Sequence, residues 1–291
     1  TSPNPDLENN SGFISNGEGL ASFSKRITGL NPETTYYIRA YATNEEGTAY
    51  GEEQTFTTGT LLFSEGNGAT DPDNNEYLSV VVGDQEWMSD NIRTSTYRDG
   101  TPIERISDPV NWTNQTSGAY CWYNNDSISN DSTYSKLYNW YAVNSGKLCP
   151  YGWHVASIDE WQNMISLIGN PEEAGAFMKS TGNLESGTGL WHIPNLGANN
   201  ESGFNGFPGG FRSENGDFDL MGYSGFWWST SMGNQFEGAY IGLYHDTIGV
   251  EIGSANALKG FSVRCIKNDY TIPIVSTISV TNLTPVSATI N

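Results

Sequence analysis

The pattern of hydrophobic positions predicts one well-defined amphipathic helix in the middle of the chain. Its apolar residues recur at i, i+3, i+4 and i+7 and so share one face: Trp161, Met164, Ile165 and Ile168. Ser157 and Glu160 form a capping box at its start, and Gly169 follows its last turn. A second helix is expected over residues 170–179, with Pro171 at its first position, and a third over residues 135–143.

Short aromatic segments that alternate with turns rich in Gly, Asn and Ser predict strands around these helices. We expect strands at residues 77–82, 118–123, 225–229, 239–244 and 261–266. Residues 213–217 contain an Asn-Gly pair, which is typical of a hairpin turn. Two or three helices with many short strands indicate an α+β fold rather than alternating β-α units.

Both ends of the chain have the alternation of β structure. Residues 1–59 predict a strand over 37–42, a turn over 44–47 and a final strand over 54–57. The pattern Leu30-x-Pro32-x-Thr34-x-Tyr36 resembles the tyrosine corner of fibronectin type III modules. Residues 272–291, with strands over 273–280 and 287–290, resemble the first strands of another such module. A linker, residues 60–67, and a central domain, residues 68–268, are predicted between them.

The two partial modules have two interpretations. In the first, the chain is cut from a longer array, and its natural N-terminus lies upstream of Thr1. In the second, the partial modules of successive chains complement each other head to tail, because a donated strand can complete an open sheet edge. Such donation would cover edges that otherwise promote aggregation.

The central domain carries a series of short aromatic motifs. They are QEWMSDNI (85–92), DGTPI (99–103), GAYCWYNND (118–126), LYNWYAV (137–143), CPYGWHV (149–155), PGGFR (208–212), GFWWS (225–229) and GFSVRC (260–265). In this order they closely resemble the Fibrobacter succinogenes major paralogous domain, a family of secreted or surface proteins of Bacteroidetes and Fibrobacteres. The resemblance implies a C-type-lectin-like fold, shared with the formylglycine-generating enzymes, and an extracellular or cell-surface location.

Net charge limits the partners. The chain carries 33 acidic and 13 basic residues, a formal net charge of −20. We expect no nucleic-acid partner, because binding nucleic acid requires clustered Lys and Arg. No apolar run approaches the roughly 18 residues of a membrane-spanning helix, so we expect no membrane insertion. Acidic side chains do suit divalent cations, which leaves Ca²⁺ as the candidate cofactor.

Three residues define the candidate calcium loop. Asp71, Asp73 and Asn75 present oxygen ligands at alternate positions, as calcium loops do. The segment lacks a glycine at the sixth position and a distal Glu, so a plain turn is the alternative.

The cysteines are expected to be mainly structural. Cys149 and Cys265 each lie at the edge of an aromatic, strand-like segment, and we expect them to form a disulfide. Such a bond would close a loop of over a hundred residues and stabilise the fold by about 4–5 kcal/mol. Cys121 would then remain as a small buried apolar residue. The alternative is a reactive thiol at Cys121, like that of the formylglycine-generating enzymes.

The lectin-like resemblance places the ligand-binding face in the late loops and strands, residues 203–257. Aromatic, amide and carboxylate side chains there suit sugar rings or a protein ligand: Phe211, Arg212, Tyr223, Trp227, Trp228, Asn234, Gln235, Tyr240, Tyr244, His245 and Asp246. Trp227 and Trp228 are adjacent, so on a strand they point to opposite faces and at least one is expected in the core. Ser127, Ser132 and Thr247 each follow an aspartate and resemble the O-glycosylation sites of Bacteroidetes.

The sequence therefore predicts a non-enzymatic extracellular module that binds a glycan or a protein. Two alternatives stay open: a fibre subunit that assembles through its partial modules, and an oxidase that resembles the formylglycine-generating enzymes.

Overall fold

The computed structural model describes residues 2–13, 34–57, 63–234 and 236–268, together with two strands near the C-terminus. Of those two strands and of Asn234, only the backbone is described. Leu30 and Pro32 of the predicted tyrosine corner, Gln235, and residues 273–279 of a predicted strand lie outside the described residues.

The N-terminal segment contains two antiparallel strand pairs. β1 (Thr35–Ile38) pairs with β4 (Gln54–Thr57), and β2 (Tyr41–Asn44) pairs with β3 (Gly47–Tyr50). The predicted strand over 37–42 is therefore two strands, which separate at Arg39 and Ala40 because each half pairs with a different partner. The predicted turn over 44–47 is confirmed as the hairpin between β2 and β3.

The first large sheet has five antiparallel strands. In spatial order they are β13 (Trp153–Val155), β19 (Cys265–Lys267), β9 (Gln85–Met88), β8 (Ser79–Val82) and β5 (Phe63–Glu65). β5 lies within the predicted linker, where residues 63–65 pair with β8 of the same sheet. A small hairpin of β6 (Ala69–Thr70) and β7 (Glu76–Tyr77) follows β5. The predicted strand over 77–82 is interrupted at Leu78, whose side chain is exposed.

The second large sheet carries most of the predicted ligand-binding residues. Its strands, in spatial order, are β15 (Phe218–Met221), β14 (Gly209–Arg212), β16 (Ser224–Asn234), β17 (Glu237–Tyr244) and β18 (Glu251–Asn256). The predicted turn over 213–217 is confirmed between β14 and β15, where the N–H of Ser213 donates to the carbonyl of Asp217 at 2.7 Å. The predicted strands over 225–229 and 239–244 are confirmed and are longer than expected.

The remaining described strands form a third sheet and one pair near the C-terminus. The sheet contains β10 (Glu104–Arg105), β11 (Ala119–Cys121) and β12 (Leu137–Tyr138). β20 (Val280–Thr284) pairs with β21 (Ser287–Ile290). The predicted strand over 261–266 forms only at its end, in β19, because residues 260–262 make single bridges to Arg212, Tyr138 and Trp227 instead.

The helices are short except for the one predicted after Ser157. They are α1 (Pro109–Thr113), α2 (Ser127–Asn130), α3 (Trp140–Asn144), α4 (Ile158–Ile168) and α5 (Ala174–Met178), with one 3₁₀ turn (Tyr123–Asn125). In α4 the capping box is present and all four predicted apolar residues are buried. Every helix among the described residues falls short of what a membrane span requires.

The other two predicted helices need correction. Residues 170–173 form a turn in which the N–H groups of Glu173 and Ala174 donate to the carbonyl of Asn170, so α5 begins only at Ala174. Residues 137–138 form β12, and the side chain of Asn139 then caps α3 by accepting from the N–H of Ala142. Pairing of Tyr138 with the distant Phe261 outweighs the local helical pattern.

One of the apolar core clusters joins both large sheets to α4. Trp87 from β9 packs 4.6 Å from Trp161 of α4, measured between ring centroids. Phe204 contacts Trp161 at 5.5 Å and Trp227 of β16 at 5.4 Å. Cys149 and Cys265 form the predicted disulfide, with Cα atoms 6.0 Å apart. The fold is therefore α+β, with more strand than helix.

Candidate ligand-binding surface

Strand alternation gives the second large sheet two different faces. Ile241 and Leu243 of β17 point into the core with Trp227, whereas Tyr240 and Tyr244 point to the opposite side with Phe226. On that opposite side, side chains from β14, β16 and β17 surround Phe261 and leave an open hollow of about 480 Å³. We call it the aromatic depression and define it by Phe211, Phe226, Tyr240, Tyr244 and Phe261.

The rings of the aromatic depression hold one another in place. Phe226 and Phe261 are buried and stack with centroids 5.1 Å apart, which makes them the floor. Phe211 meets Phe226 edge to face at 5.6 Å, and Tyr240 meets Phe261 at 5.3 Å. Phe211, Tyr240 and Tyr244 are half-buried and form the accessible part. Edge-to-face contacts of this kind favour a fixed ring arrangement, so the surface is largely pre-formed.

Glu214, Glu237 and Lys259 line the rim, and Glu251 lies next to it, where it binds two of the tyrosines. The phenol of Tyr240 donates to Glu251 Oε1 at 2.8 Å, and the phenol of Tyr244 donates to Oε2 of the same carboxylate. Burial and the hydrogen bond to Glu251 raise the pKa of Tyr240 to about 12, and the same two causes raise the pKa of Tyr244. Lys259 Nζ lies 4.9 Å from the centroid of Phe211 and 4.0 Å from Glu214 Oε2.

This arrangement suits a ligand with both an apolar face and hydroxyl groups. Aromatic rings supply a flat apolar surface, and the rim supplies hydrogen-bond acceptors and one cation. Small-molecule sites have this composition in general, with an apolar lining and a few placed polar groups. Lys259, Glu214 and Glu251 were not identified from the sequence, because residues on an exposed rim leave no periodic signal.

A second group of predicted residues meets at a different place. The ring of Tyr223 stacks on His192 at 4.1 Å and meets His245 edge to face at 5.2 Å. His192 Nδ1 is 2.7 Å from Glu185 Oε1, and His245 Nδ1 is 2.7 Å from the carbonyl oxygen of Ile193. Asp246 is exposed beside this group. His192 and Glu185 are distant from Tyr223 in sequence, so only the fold brings them together.

Lys179 fixes the loops that carry this second group. Its side chain is wholly buried, and Nζ donates to the carbonyls of Leu196 (2.9 Å), Tyr244 (3.0 Å) and Thr247 (2.6 Å). Burial lowers the pKa of this amine to about 8. The lysine is thus a structural cross-link between two surface loops.

Three predicted ligand-binding residues are corrected by their burial. Arg212 is fully buried, and its guanidinium donates to the carbonyls of Ile106 (2.6 Å) and Gly216 (3.0 Å). Trp227 and Trp228 are also fully buried, whereas the sequence predicted burial of at least one of them. Their indole N–H groups donate to Asn91 Oδ1 at 2.7 Å and to the carbonyl of Tyr138 at 2.8 Å. All three side chains therefore serve the core rather than a ligand.

The candidate calcium loop is a turn held by its own side chains. The carboxylate of Asp71 is buried and accepts from the N–H groups of Asp73 and Asn75, both at 2.9 Å, and from the phenol of Tyr77 at 2.6 Å. Asp73 accepts from the hydroxyl of Ser95 at 2.6 Å. Within residues the structure describes, no three His, Cys, Asp or Glu side chains converge to hold a metal ion. The calcium loop stays a prediction, with a plain turn as its alternative.

Cys121 is placed where thiolate chemistry is disfavoured. The side chain is completely buried, and burial raises the pKa of the thiol to about 12, although the nearby Arg212 opposes the shift. A thiol becomes nucleophilic only as the thiolate. Cys149 and Cys265, the other two cysteines, are joined to each other.

The candidate glycosylation residues differ in exposure. Ser132 and Thr247 are exposed, whereas Ser127 is half-buried at the first position of α2. Asn234 contributes backbone pairing to Glu237, and its side chain, like Gln235, lies outside the described residues.

Fold and surface together define a sheet-rich α+β domain closed by a disulfide, with an open aromatic depression on one sheet face. A family model described as the Fibrobacter succinogenes major domain matches residues 80–267. The match covers more than half of the 291 residues, and the chain belongs to this family. Neither the curated proteins nor the solved structures contain a match to the chain.

Proposed function

We propose that this protein is a non-enzymatic extracellular module that binds a glycan in the aromatic depression. The observation that carries the proposal is the meeting of Phe211, Tyr240 and Tyr244 over a buried aromatic floor, with the carboxylate of Glu251 bonded to both tyrosines. The C–H faces of a sugar ring stack on such rings, while its hydroxyls donate to the rim carboxylate. The second large sheet holds all of these residues except Phe261, so the surface does not depend on a mobile loop.

Two further observations support this function. The disulfide between Cys149 and Cys265 favours an oxidising, extracytoplasmic compartment. The burial of Cys121 argues against an oxidase, because it withholds the only unpaired thiol from a substrate. We also propose that the central domain is lectin-like and that the flanking strand pairs belong to fibronectin-like modules.

The fibre alternative has one observation in its favour. β2 and β3 form a two-stranded sheet in which most residues are exposed, and β20 and β21 form another two-stranded sheet. A two-stranded sheet is only marginally stable alone, so an added strand from a neighbouring chain would stabilise it.

A glycan array separates the two functions. We expect saturable binding of a set of glycans that Tyr240→Ala and Tyr244→Ala reduce at least tenfold. Tyr151→Ala, which removes an exposed tyrosine outside the depression, is the matched control and is expected to bind as the parent does. Parallel arrays with calcium and with EDTA are expected to agree. An array without signal, combined with filaments in electron micrographs, would support the fibre subunit instead.

A further inference from the structure

A second cavity lies at the edge of the first large sheet and shares no lining residue with the aromatic depression. It is an open groove of about 1020 Å³, formed by β5, the β6–β7 hairpin, the start of β8, and residues 200–205. Four of its lining residues are acidic: Glu65, Glu76, Asp90 and Glu201. We define the acidic groove by these four residues.

The acidic groove has little compensating charge: Arg264 interacts with Asp90 only through space, and Arg93 donates to the backbone carbonyl of Glu76 at 3.2 Å. None of its four carboxylates makes a hydrogen bond or an ion pair with any residue that the structure describes. Among the described residues, its lining contains no lysine, arginine or histidine. Uncompensated charge of one sign in a cleft concentrates ligands of the opposite sign. A ligand for this groove is therefore cationic.

A serine whose side chain is largely buried also borders the groove. Ser89 is only 7% exposed and borders the groove, and its hydroxyl makes no hydrogen bond to a described residue. Its backbone N–H donates to the carbonyl of Leu78 at 2.8 Å. A ligand in the groove that reached Ser89 would find this hydroxyl ready to form a hydrogen bond. Leu78 lines the same groove, and its side chain is 75% exposed.

The distribution of charge favours an extended occupant over a single bound ion. No three carboxylates within the described part of the chain converge closely enough for metal coordination. The negative charges instead come from four separate segments around an open groove. An extended peptide matches this spacing, because its side chains alternate along the strand and can present several cations to separate carboxylates.

The position of β5 indicates how such a peptide would lie. β5 is the edge strand of its sheet and pairs only with β8 among the described strands, so one side of its backbone is unpaired there. Extended peptides bind sheet edges by adding a strand. We propose that the acidic groove binds an extended segment of a partner protein that is rich in lysine or arginine. Leu78 supplies the apolar contact, and Ser89 supplies a hydrogen-bonding group.

Fluorescence anisotropy with three labelled probes tests this site. The probes are a peptide of alternating Lys and Thr, its Glu-Thr counterpart, and a chitosan oligomer. At low salt we expect the Lys-Thr peptide to bind and the Glu-Thr peptide not to bind. Added salt should weaken the complex, because exposed charges are screened.

Two triple variants with the same change in net charge provide the control. The first variant combines Glu65→Gln, Asp90→Asn and Glu201→Gln. Its affinity for the Lys-Thr peptide should fall at least tenfold, about 1.4 kcal/mol. The second variant combines Glu45→Gln, Glu46→Gln and Glu172→Gln, which lie outside the groove lining. Its affinity for the Lys-Thr peptide should stay within twofold of that of the parent protein. All six side chains are at least partly exposed, so near-ultraviolet circular dichroism should show both variants folded.

Leu78→Ala tests the groove without changing any charge. Because Leu78 is exposed, its truncation should preserve the fold. The affinity for the Lys-Thr peptide should fall at least threefold. Equal losses in the two triple variants would mean attraction by net charge alone and would overturn the proposal. So would the absence of peptide binding at low salt, or binding of chitosan in place of the peptide.

Discussion

Tyr240 and Glu251 are joined diagonally across β17 and β18, with the phenol oxygen 2.8 Å from the carboxylate oxygen. Tyr244 donates to the other oxygen of the same carboxylate. One acidic side chain therefore orients both tyrosines of the aromatic depression. This pairing gives the candidate ligand surface a property that a titration can measure.

We predict that Tyr240 ionises only near pH 12, because burial and the hydrogen bond to Glu251 raise the pKa of its phenol. A pKa that is raised on folding stabilises the protein below the ordinary value of about 10, and this contribution is lost as the pH rises towards 12. Glu251→Gln should lower the midpoint of the late tyrosinate absorbance, and Tyr240→Phe should reduce its amplitude without removing it, because Tyr244 also titrates late. An unchanged tyrosinate titration in Glu251→Gln would contradict the pairing.

We predict that the disulfide supplies a large share of the stability. Cys149 and Cys265 are separated by 116 residues, for which chain entropy gives a stabilisation of about 4–5 kcal/mol. Replacing both by Ala should lower the free energy of unfolding in urea by roughly this amount. A reducing agent should have the same effect on the parent protein and no further effect on the double variant. A loss below about 1 kcal/mol would show that the bond constrains the unfolded chain very little.

We predict that Asp71 stabilises its turn without calcium. Its buried carboxylate accepts from four separate groups, so Asp71→Ala should leave donors unsatisfied and lower stability by about 1–3 kcal/mol. The exposed Asp84 is the matched control, and Asp84→Ala should change stability by less than about 0.5 kcal/mol. Thermal denaturation with calcium and with EDTA should give the same midpoint. A rise of the midpoint with calcium would support the calcium loop instead.

Local signals in the sequence were sufficient for several elements. The capping box at Ser157 and the apolar face of α4 depend on neighbours within two helical turns, and both are confirmed. The hairpin turn at Asn215-Gly216 depends on the backbone freedom of its own residues and is also confirmed. Local patterns failed at residues 137–138, where pairing with Phe261 overrides a helical pattern.

The candidate site was only partly predictable. Phe211, Tyr240 and Tyr244 were named from the sequence, and the fold brings them into one depression. Arg212 was named with them but is buried. Its guanidinium can be buried because it donates to the carbonyls of Ile106 and Ser107, which are far away in sequence. Residue type indicates what a side chain can bind. The surrounding chain decides whether that capacity is used inside the protein or offered to a ligand.

The sequence by itself determined the family, the α+β class, the principal helix and the identity of the paired cysteines. These four conclusions depend on the order of the motifs, on hydrophobic periodicity and on residue type, all of which can be read directly from the sequence. Only the tertiary structure decided which aromatic residues are core, where β5 joins the sheet, and that Glu65, Glu76, Asp90 and Glu201 surround one groove. The physical reason is that burial and cross-strand contacts join residues far apart in the chain, and hydrophobic patterning alone leaves those partners unspecified.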